Sequence, residues 1–595
     1  MNTAILLPSG NSVNVSWEKN DSWLLTYETT VISDGVEELT LTLNNDRESA
    51  FPDMLVSFRI PKGEIATRWN ANLNLEKTLL PEWGTAFISE LACGAPVLGL
   101  INQDDSNALC CSVSDALRRI IWKSGVKEHT FEVNTILEFF TVPEPPEKFY
   151  QVTLRFDRRQ LHFSDAVKAA FENLEKLPQY TPAATPPSGF EPLYSTWYSY
   201  HKDITDHEIE KECAIAKNYG MELVIVDDGW QSADGVCTYA SCGDWEVAPN
   251  RSQDMAAHVR RIHDLGMKYM LWYSVPFLGI DSKNYPKLKD KCLFFREASQ
   301  AAVLDPRFPE VRQFLIDTYC QALRDWDLDG FKLDFIDQLA LAPDTVDPAI
   351  ARNYAGRDHR NIALATDVLM TGIIDALRAI KPDILIEFRQ KYIGPAIRKY
   401  GNMMRANDCP GDITANRVRI ADLRLSSGAT AVHGDMLRWD YAESVESAAK
   451  QLLAVLFAVP QISVKLAEIS PEHLEMINYR LKFYKQHQNT LVQGRFIPSF
   501  PDMNYPLLRG ESTNEAISVI YLDRLTAPCG KLAGGFNELV VNASNLPEIT
   551  VELPCKAHAV ICDCCGRETA RIEAIQGLNK IPVPVAGVVE FTAAV

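Results

Sequence analysis

The sequence predicts three regions in order: an N-terminal antiparallel β-sandwich, a central (β/α)8 TIM barrel and a C-terminal antiparallel β domain. Three observations predict this order. Apolar and polar residues alternate in short stretches up to about residue 180, apolar runs then alternate with helical patterns, and short strands return after about residue 490. We therefore expect domains at residues 1–180, 181–490 and 491–595, because 595 residues are too many for a single compact core.

Alternation of apolar and polar residues is the main feature of the first region. It is clearest at residues 22–27, 38–43 and 151–156, and turn-forming residues such as 44–46 separate these stretches. Successive side chains of a strand point to opposite faces, so this pattern buries one face and exposes the other. The region is therefore typical of packed antiparallel sheets, and the Pro- and Gly-containing segment 182–190 is expected to be a linker.

Strand and helix patterns alternate in the middle region, which is typical of βα units around a parallel barrel. Helices are expected at 205–219, where Thr205 and Glu208 form a capping box, at 309–326 and at 361–380. The eight strand candidates lie at 192–199, 222–227, 268–275, 329–335, 383–389, 402–407, 428–434 and 460–466.

Short strands punctuated by Gly and Pro return in the last region, which predicts a small β domain. The strand candidates there lie at 516–522, 536–542, 557–561 and 588–592.

The charge of the chain limits its partners. The formal net charge is −19, and no run of Lys or Arg forms a basic stripe. Nucleic acid and anionic membranes are therefore not expected as partners, whereas a neutral small molecule is compatible with this charge. No window approaches the roughly 20 apolar residues of a membrane span, and the N-terminal residues do not resemble a secretory signal.

The 14 cysteines are scattered through a large chain, which is typical of reduced thiols and predicts a cytoplasmic protein. Cys562 and Cys565 are spaced like half of a zinc site, but no second pair of ligands follows them at suitable spacing. The sequence also lacks glycine-rich phosphate loops, a Gly-x-Ser-x-Gly elbow and a His-Glu-x-x-His pair. We therefore expect neither a metal nor a cofactor.

Polar and aromatic residues collect at the predicted strand ends, where the chemistry of such barrels is found. Core packing does not require this arrangement, whereas a polyol ligand does, because carboxylates and lysines bind hydroxyl groups and aromatic rings pack against a sugar. In strand order these residues are Trp197, Tyr198 and Tyr200; Asp227 and Asp228; Trp272 and Tyr273; Lys332 and Asp334; Glu387 and Arg389; Arg405, Asn407 and Asp408; His433 and Asp435.

Each of these positions also has a structural interpretation. Asp227 and Asp228 stand before a glycine and could form a simple turn. Lys332 and Asp334 point to the same side of a strand, so they form either a structural pair or part of a site. The recurrence at several strands favours a site. Asp334 and an acid on the sixth strand would suit retaining glycoside hydrolysis, in which two carboxyl groups lie about 5–5.5 Å apart.

The ordered motifs resemble those of the family-36 glycoside hydrolases, which are α-galactosidase-like and share a clan with family-27 enzymes and raffinose synthases. The resemblance implies all three regions and a retaining α-galactosidase acting on a small carbohydrate. By analogy, it also implies a homo-oligomer. The motifs that carry the resemblance are Trp197-Tyr198, Val226-Asp227-Asp228-Gly229-Trp230, Gly243-Asp244-Trp245 and Lys332-Leu333-Asp334.

The resemblance also implies residue roles. Asp334 matches the nucleophile, and Lys332 matches a sugar-binding lysine that would keep Asp334 ionised. Asp227 and Asp228 match the pair that holds the galactose O4 and O6 hydroxyls. The other matched residues border the sugar or precede the general acid: Trp197, Tyr198, Trp245 and Arg405.

The general acid departs from the family pattern. Relatives place this Asp four residues after the arginine, or in a Ser-Asp-Asn-Thr-Asp stretch, but Cys409 stands four residues after Arg405. We favour Asp408, because Asn407-Asp408 resembles the Ser-Asp pair, and keep Asp412 as the alternative. Asp412 could instead cap a helix that begins near residue 413. The acid is expected to have a higher pKa than the nucleophile, in a less cationic or more apolar setting.

The remaining strand-end residues have no assigned role. Glu387 and Arg389 are either functional or a structural ion pair, and the roles of His433 and Asp435 are equally open. Two other functions also stay open: a related enzyme with changed specificity, such as an α-N-acetylgalactosaminidase or a raffinose-synthase-type transglycosylase, and a non-catalytic sugar-binding protein.

Overall fold

The N-terminal region is built from two six-stranded antiparallel sheets. The computed structural model describes residues 2–17, 22–84, 86–233, 235, 238–340, 347–532 and 535–594. The first strands are β1 (Asn2–Leu6), β2 (Ser12–Trp17), β3 (Leu24–Ser33), β4 (Val36–Ser49), β5 (Met54–Pro61), β6 (Ile65–Trp69), β7 (Ala86–Ser89), β8 (Val97–Asn102), β9 (Asn107–Val113), β10 (Ile120–Lys127), β11 (Glu132–Phe139) and β12 (Glu147–Asp157). Their orders are β1-β2-β5-β11-β10-β7 and β3-β4-β12-β9-β8-β6.

The alternation predicted from the sequence builds the core of this region. In β5, Met54, Val56, Phe58 and Ile60 are buried, while the residues between them face outwards. The helix α1 (Phe163–Glu175) follows and packs against β8 and β9. It therefore joins the sheets to the next region.

The middle region is a parallel eight-stranded barrel, as predicted. Its elements are β13 (Leu193–Ser195), α2 (Trp197–Tyr200), α3 (Asp206–Asn218), β14 (Leu223–Val226), α4 (Met255–Asp264), β15 (Lys268–Ser274), β16 (Phe277–Gly279), α5 (Tyr285–Leu288), β17 (Cys292–Arg296), β18 (Ala301–Leu304), α6 (Pro309–Trp326), β19 (Gly330–Asp334), α7 (Pro348–Ala351), α8 (Ile362–Ile380), β20 (Leu385–Arg389), α9 (Pro395–Tyr400), β21 (Met403–Arg405), α10 (Ile413–Ser426), β22 (Ala431–His433), α11 (Val445–Ala454), β23 (Gln461–Ile462) and α12 (Pro471–Gln488).

The barrel strands pair in the order β22-β21-β20-β19-β15-β14-β13-β23, and a parallel bridge between His433 and Val459 brings the two edges together. The three helices expected from the sequence are present, and Thr205 caps α3 by accepting a hydrogen bond from the Glu208 amide. Several strands are shorter than predicted, because polar and aromatic residues leave the sheet. The first strand ends at Ser195, and Trp197 begins a short helix.

The last region contains a seven-stranded and a three-stranded sheet. The strands are β24 (Arg495–Ser499), β25 (Leu507–Glu511), β26 (Glu515–Ile520), β27 (Thr526–Pro528), β28 (Asn537–Asn542), β29 (Ile549–Leu553), β30 (Ala557–Cys562), β31 (Glu568–Ala574), β32 (Gly577–Ile581) and β33 (Val588–Ala593). The sheets are not purely antiparallel as expected, because β26 pairs with β28, and β27 with β29, in parallel. In the part of the chain that the structure describes, no helix is long and apolar enough to cross a bilayer.

One buried carboxylate ties the three regions together. Asp422 of α10 accepts hydrogen bonds from Lys77 at 2.8 Å and Trp69 at 3.0 Å, both of the N-terminal region, and from Tyr505 of the last region at 2.8 Å. The side chains of Asp422 and Lys77 are 1% and 2% exposed. Removing one partner of such a buried pair leaves the other charge without compensation.

We therefore expect Asp422→Ala to destabilise the protein by about 3 kcal/mol or more, which a clear fall in the urea midpoint would show. Asp375→Ala, at an exposed position on α8, is the matched control and should unfold at the wild-type midpoint. A wild-type midpoint for Asp422→Ala would show that the three regions do not depend on this carboxylate.

Candidate active site

Asp227 and Lys332 form a buried ion pair at the barrel mouth. Asp227 follows β14 and is 2% exposed, and its Oδ2 accepts a hydrogen bond from Lys332 Nζ at 2.5 Å. The Asp227 amide donates to Thr196 Oγ1 at 3.0 Å, which links the ends of the first two strands. The direct partner of Lys332 is therefore Asp227, although the sequence had suggested Asp334.

Asp228 has its own cation, Lys202, which sequence reasoning missed. Lys202 Nζ lies 3.2 Å from Asp228 Oδ2, and Gln231 donates to Asp228 Oδ1 at 2.7 Å. Burial raises the pKa of Asp228 to about 6, and Lys202 opposes that rise. Gly229, at φ +132°, permits the close approach, because a Cβ there would lie 2.6 Å from the Lys202 Cα.

Asp334 ends β19, and its carboxylate accepts hydrogen bonds from four donors. Its Oδ1 accepts from Arg389 Nε at 2.8 Å, from the Tyr392 hydroxyl at 2.7 Å and from the Phe335 amide at 2.7 Å. Its Oδ2 accepts from Trp272 Nε1 at 3.1 Å. Burial alone would raise the pKa of Asp334, but Arg389 and then Lys332 outweigh it, so the net shift is well below the ordinary value. The carboxylate is therefore kept ionised.

Glu387 and Arg389 do not pair with each other, so the interpretation of these two residues as a structural ion pair is wrong. Arg389 reaches Asp334, whereas Glu387 lies 3.6 Å from Arg405 Nε and accepts from Gln461 Nε2 at 2.5 Å. The two side chains find partners on neighbouring strands, because barrel strands pack side by side. Burial raises the pKa of Glu387, and Arg405 opposes that rise.

Arg405 is the centre of a second charged group, which contains Asp408. Arg405 donates to Asp408 Oδ1 at 2.8 Å and to buried Asp435. Asp435 also accepts from the Tyr198 hydroxyl at 2.8 Å and from the Cys409 amide at 2.6 Å. Tyr198 and Asp435 therefore help to fix Arg405 and the segment that carries Asp408.

Asp408 is about half exposed, since its side chain retains 48% of its accessible surface. Burial raises the pKa of Asp408, but Arg405, Lys332 and Arg389 together bring it below the ordinary value. The expectation of a less cationic setting for this residue is therefore wrong. The charge of Asp334 acts in the opposite direction and raises the pKa of Asp408.

Asp412 and His433 have structural partners. Asp412 caps α10, and its side chain accepts from the Thr414 and Ala415 amides. His433 is fully buried, with Nε2 2.8 Å from the Gly189 carbonyl oxygen, and burial lowers its pKa to about 4. These contacts favour the helix-cap interpretation of Asp412 and a role for His433 in seating the linker against the barrel.

Aromatic rings line one side of the charged groups. Trp245, at φ +55°, lies 6.1 Å from Trp272 and 4.7 Å from Tyr273 between ring centroids. Trp272 in turn donates to Asp334, so Trp245 supports the wall behind the carboxylate. Trp197 stacks on His201 at 4.5 Å and is partly exposed at the end of the first strand.

Lys202, Tyr392 and Gln461 were not singled out from the sequence. Lys202 and Tyr392 lie in loops, where no periodicity marks a side chain that turns back to the barrel. Gln461 begins the short strand β23, and a single polar residue there gave no signal. Arg389 was found, but its partner could not be predicted from its own strand.

The geometry defines a carboxylate-rich, aromatic-walled site at the mouth of a parallel barrel with β domains on either side in the chain, a class of site suited to polyhydroxylated ligands. Residues 190–388 match the melibiase family model. This match confirms the resemblance to α-galactosidase-like enzymes. The matched segment contains Asp227, Asp228, Lys332 and Asp334 and ends before Asp408.

Relatives of known sequence are similar over part of the chain. A bifunctional α-galactosidase/sucrose kinase of Mediterraneibacter gnavus is 25% identical over 207 residues, which cover 33% of this chain and 20% of that protein. α-Galactosidase AgaA of Geobacillus stearothermophilus is 28% identical over 140 residues, which cover 22% of this chain and 19% of that protein. The matches thus span a fifth or less of these two proteins.

Solved structures share the whole architecture. The galactosidase domain of an α-galactosidase–sucrose kinase has a TM-score of 0.69 at 15% identity, over 100% of this chain and 84% of that one. A variant of the Geobacillus stearothermophilus enzyme AgaA, a family-36 α-galactosidase in complex with raffinose, has a TM-score of 0.66 at 14% identity, over 98% and 83%. At these identities the structures establish a common fold.

The raised pKa of Asp228 gives a pH prediction. Its pKa is about 6 in the folded protein against an ordinary 3.8, so its contribution to stability is complete below about pH 4 and is lost as the pH rises through 6. Asn carries no such charge. The stability of Asp228→Asn relative to wild type should therefore increase between pH 4 and pH 7, by up to about 3 kcal/mol.

Urea unfolding at both pH values measures this change. The pKa of about 6 already includes the attraction of Lys202, so the expected change contains the effect of this pair. Asp375→Asn is the exposed control and should give the same difference at both pH values. An equally flat profile for Asp228→Asn would contradict the raised pKa.

Proposed function

We propose that the protein is a retaining α-galactosidase that releases terminal α-linked galactose through a covalent glycosyl-aspartate. One observation carries the proposal: a buried, ionised Asp334 and a half-exposed Asp408 share the barrel mouth with the Asp227–Asp228 pair. The names of the similar proteins support the sugar class, since the matches in sequence and in fold include α-galactosidases.

The two carboxylates divide the chemistry. Asp334 attacks the anomeric carbon while Asp408 protonates the leaving oxygen, and Asp408 then activates the water that releases the sugar. Asp227 and Asp228 accept hydrogen bonds from the sugar hydroxyls, and Lys332 fixes Asp227 for that task. The site needs no chemistry beyond these groups for either step.

The change of role at Asp408 follows from its neighbours. Arg405 favours the ionised form of Asp408, while the charge of Asp334 favours the protonated form. A bound sugar adds burial, which favours the protonated acid needed in the first step. Once Asp334 is esterified its charge is gone, so the pKa of Asp408 falls and the residue suits the base role of the second step.

The proposal includes a cytoplasmic location for the protein. All 13 cysteines that the structure describes are free thiols, which supports a cytoplasmic location.

One similar protein, from Flavonifractor plautii, is named an A type blood α-D-galactosamine galactosaminidase, with 24% identity over 176 residues. Nitrophenyl α-glycosides of galactose, N-acetylgalactosamine, glucose and arabinose separate these specificities, and an acceptor sugar reveals transfer products.

Asp334→Ala should abolish turnover of nitrophenyl α-galactoside, because no carboxylate remains to form the covalent intermediate. Azide fits the space left by the side chain and attacks from the same face. It should therefore restore activity and yield the β-galactosyl azide, identified by NMR. Turnover at the wild-type rate, or an azide product of α configuration, would contradict the assignment.

Asp408→Ala should keep fast attack on a substrate with an activated leaving group but stall at release of the sugar, because that leaving group needs no acid whereas water still needs a base. A rapid burst of nitrophenol followed by slow turnover measures this. Asp412→Ala is the matched control and should lack the burst, losing only the stability that its helix cap contributes, about 1 kcal/mol. A burst in Asp412→Ala alone would transfer the acid role to Asp412.

A further inference from the structure

The two oxygens of Asp334 are held unequally. Among the described residues, Oδ1 accepts three hydrogen bonds of 2.7–2.8 Å, from Arg389, Tyr392 and the Phe335 amide, whereas Oδ2 accepts one of 3.1 Å from Trp272. Charge-assisted hydrogen bonds draw electron density to the oxygen that accepts them. Oδ2 therefore keeps the more available lone pair.

We infer that Asp334 attacks through Oδ2, and that Tyr392 is a positioning residue that holds Oδ1 as the carbonyl oxygen of the glycosyl ester. This inference rests on the proposed function and adds to it the reacting atom and a residue outside the motifs. Tyr392 is fully buried, and burial raises the pKa of its phenol well above the usual range, so the hydroxyl stays neutral and donates.

The electron flow is balanced in both steps. In the first, an Oδ2 lone pair forms the bond to the anomeric carbon, the bond to the leaving oxygen breaks, and that oxygen takes the proton of Asp408. In the second, water attacks the anomeric carbon and gives a proton to Asp408. The bond to Oδ2 breaks as the bond to water forms, and its electron pair returns to the carboxylate.

The hydrogen-bond donors to Oδ1 favour release of the sugar over the first attack. They stabilise the anionic carboxylate more than the neutral ester, because hydrogen bonds to a charged acceptor are stronger. They therefore restrain attack, in which the carboxylate loses its charge, and assist release, in which the charge returns. A residue that merely supports the fold would slow both steps alike.

The N-terminal region sets the position of Tyr392. The Gly94 amide donates to the Lys391 carbonyl at 2.8 Å, and Gly94 forms a parallel bridge with Tyr392. Gly94 has φ +65°, and an added Cβ would overlap Asn72 and the Ile88 carbonyl. This glycine therefore allows a loop of the β-sandwich to lie against the segment that carries Tyr392.

The charged and titratable groups that act on Asp334 come from several elements, and Tyr392→Phe changes only one of them. Lys332 lies on the same strand as Asp334, and Asp337 follows that strand. Arg389 ends the fifth barrel strand and Tyr392 lies in the loop after it. Asp408 follows the sixth barrel strand, and Tyr239 follows the second.

Tyr392→Phe removes the hydroxyl and keeps the ring. With an activated aryl α-galactoside, for which release of the sugar limits kcat, we expect kcat to fall about tenfold while kcat/KM changes less than about threefold. A burst of the aryl alcohol should accompany this split, and intact-mass spectrometry should show the galactosyl-enzyme in the steady state. Gly94→Ala, where it folds, should show the same split.

Tyr319→Phe is the matched control. Its hydroxyl is buried and has no hydrogen-bond partner among the described residues, and its ring packs on Tyr273 and Phe331. It should keep wild-type values of both kinetic constants. Parallel loss of kcat and kcat/KM in Tyr392→Phe, or no change in either, would overturn the inference.

A double-mutant cycle of thermal stability tests the contact between Tyr392 and Asp334 without a measurement of activity. The Tm losses of Tyr392→Phe and Asp334→Ala should not add in the double variant, because the two side chains interact directly. Additive losses would overturn the positioning role. An inactive wild type on every α-glycoside would instead contradict the proposed function, and the cycle would still decide whether Tyr392 holds Asp334.

Discussion

Each buried carboxylate at the barrel mouth must have a cation, and this constraint determines how the site is built. Lys332 neutralises Asp227, Lys202 neutralises Asp228 and Arg389 neutralises Asp334, while Arg405 serves the carboxylates of the sixth and seventh strands. An uncompensated charge in such a setting is strongly destabilising, so these groups persist only as a connected set. At Asp334, Arg389 and then Lys332 outweigh burial and keep the pKa of the carboxylate well below its ordinary value.

Contacts with the regions on either side also hold the barrel in place. A loop of the β-sandwich fixes the backbone next to Tyr392, and Asp422 joins all three regions by hydrogen bonds. The β-sandwich loop thus holds the segment whose Tyr392 hydroxyl donates to Asp334, so the position of this carboxylate depends on packing outside the barrel.

The sequence predicts what strand periodicity determines and misses what loops determine. Lys332 and Asp334 could be placed because alternate residues of one strand share a side, and the strand ends could be placed because chemistry collects there. The partners could not be placed, since neighbouring strands rather than the same strand supply them, as Arg389 and Asp334 show. Lys202 and Tyr392 lie in loops, where the sequence alone does not indicate which way a side chain turns.

Covalent trapping tests the central claim most directly, that the ionised Asp334 becomes the glycosyl-aspartate. A fluorinated α-galactosyl fluoride, whose ring fluorine slows release of the sugar, should inactivate the protein with a mass increase of one fluorosugar. Peptide mapping should then place the label on Asp334. A label on Asp408 or any other residue, or inactivation without a covalent adduct, would contradict the account.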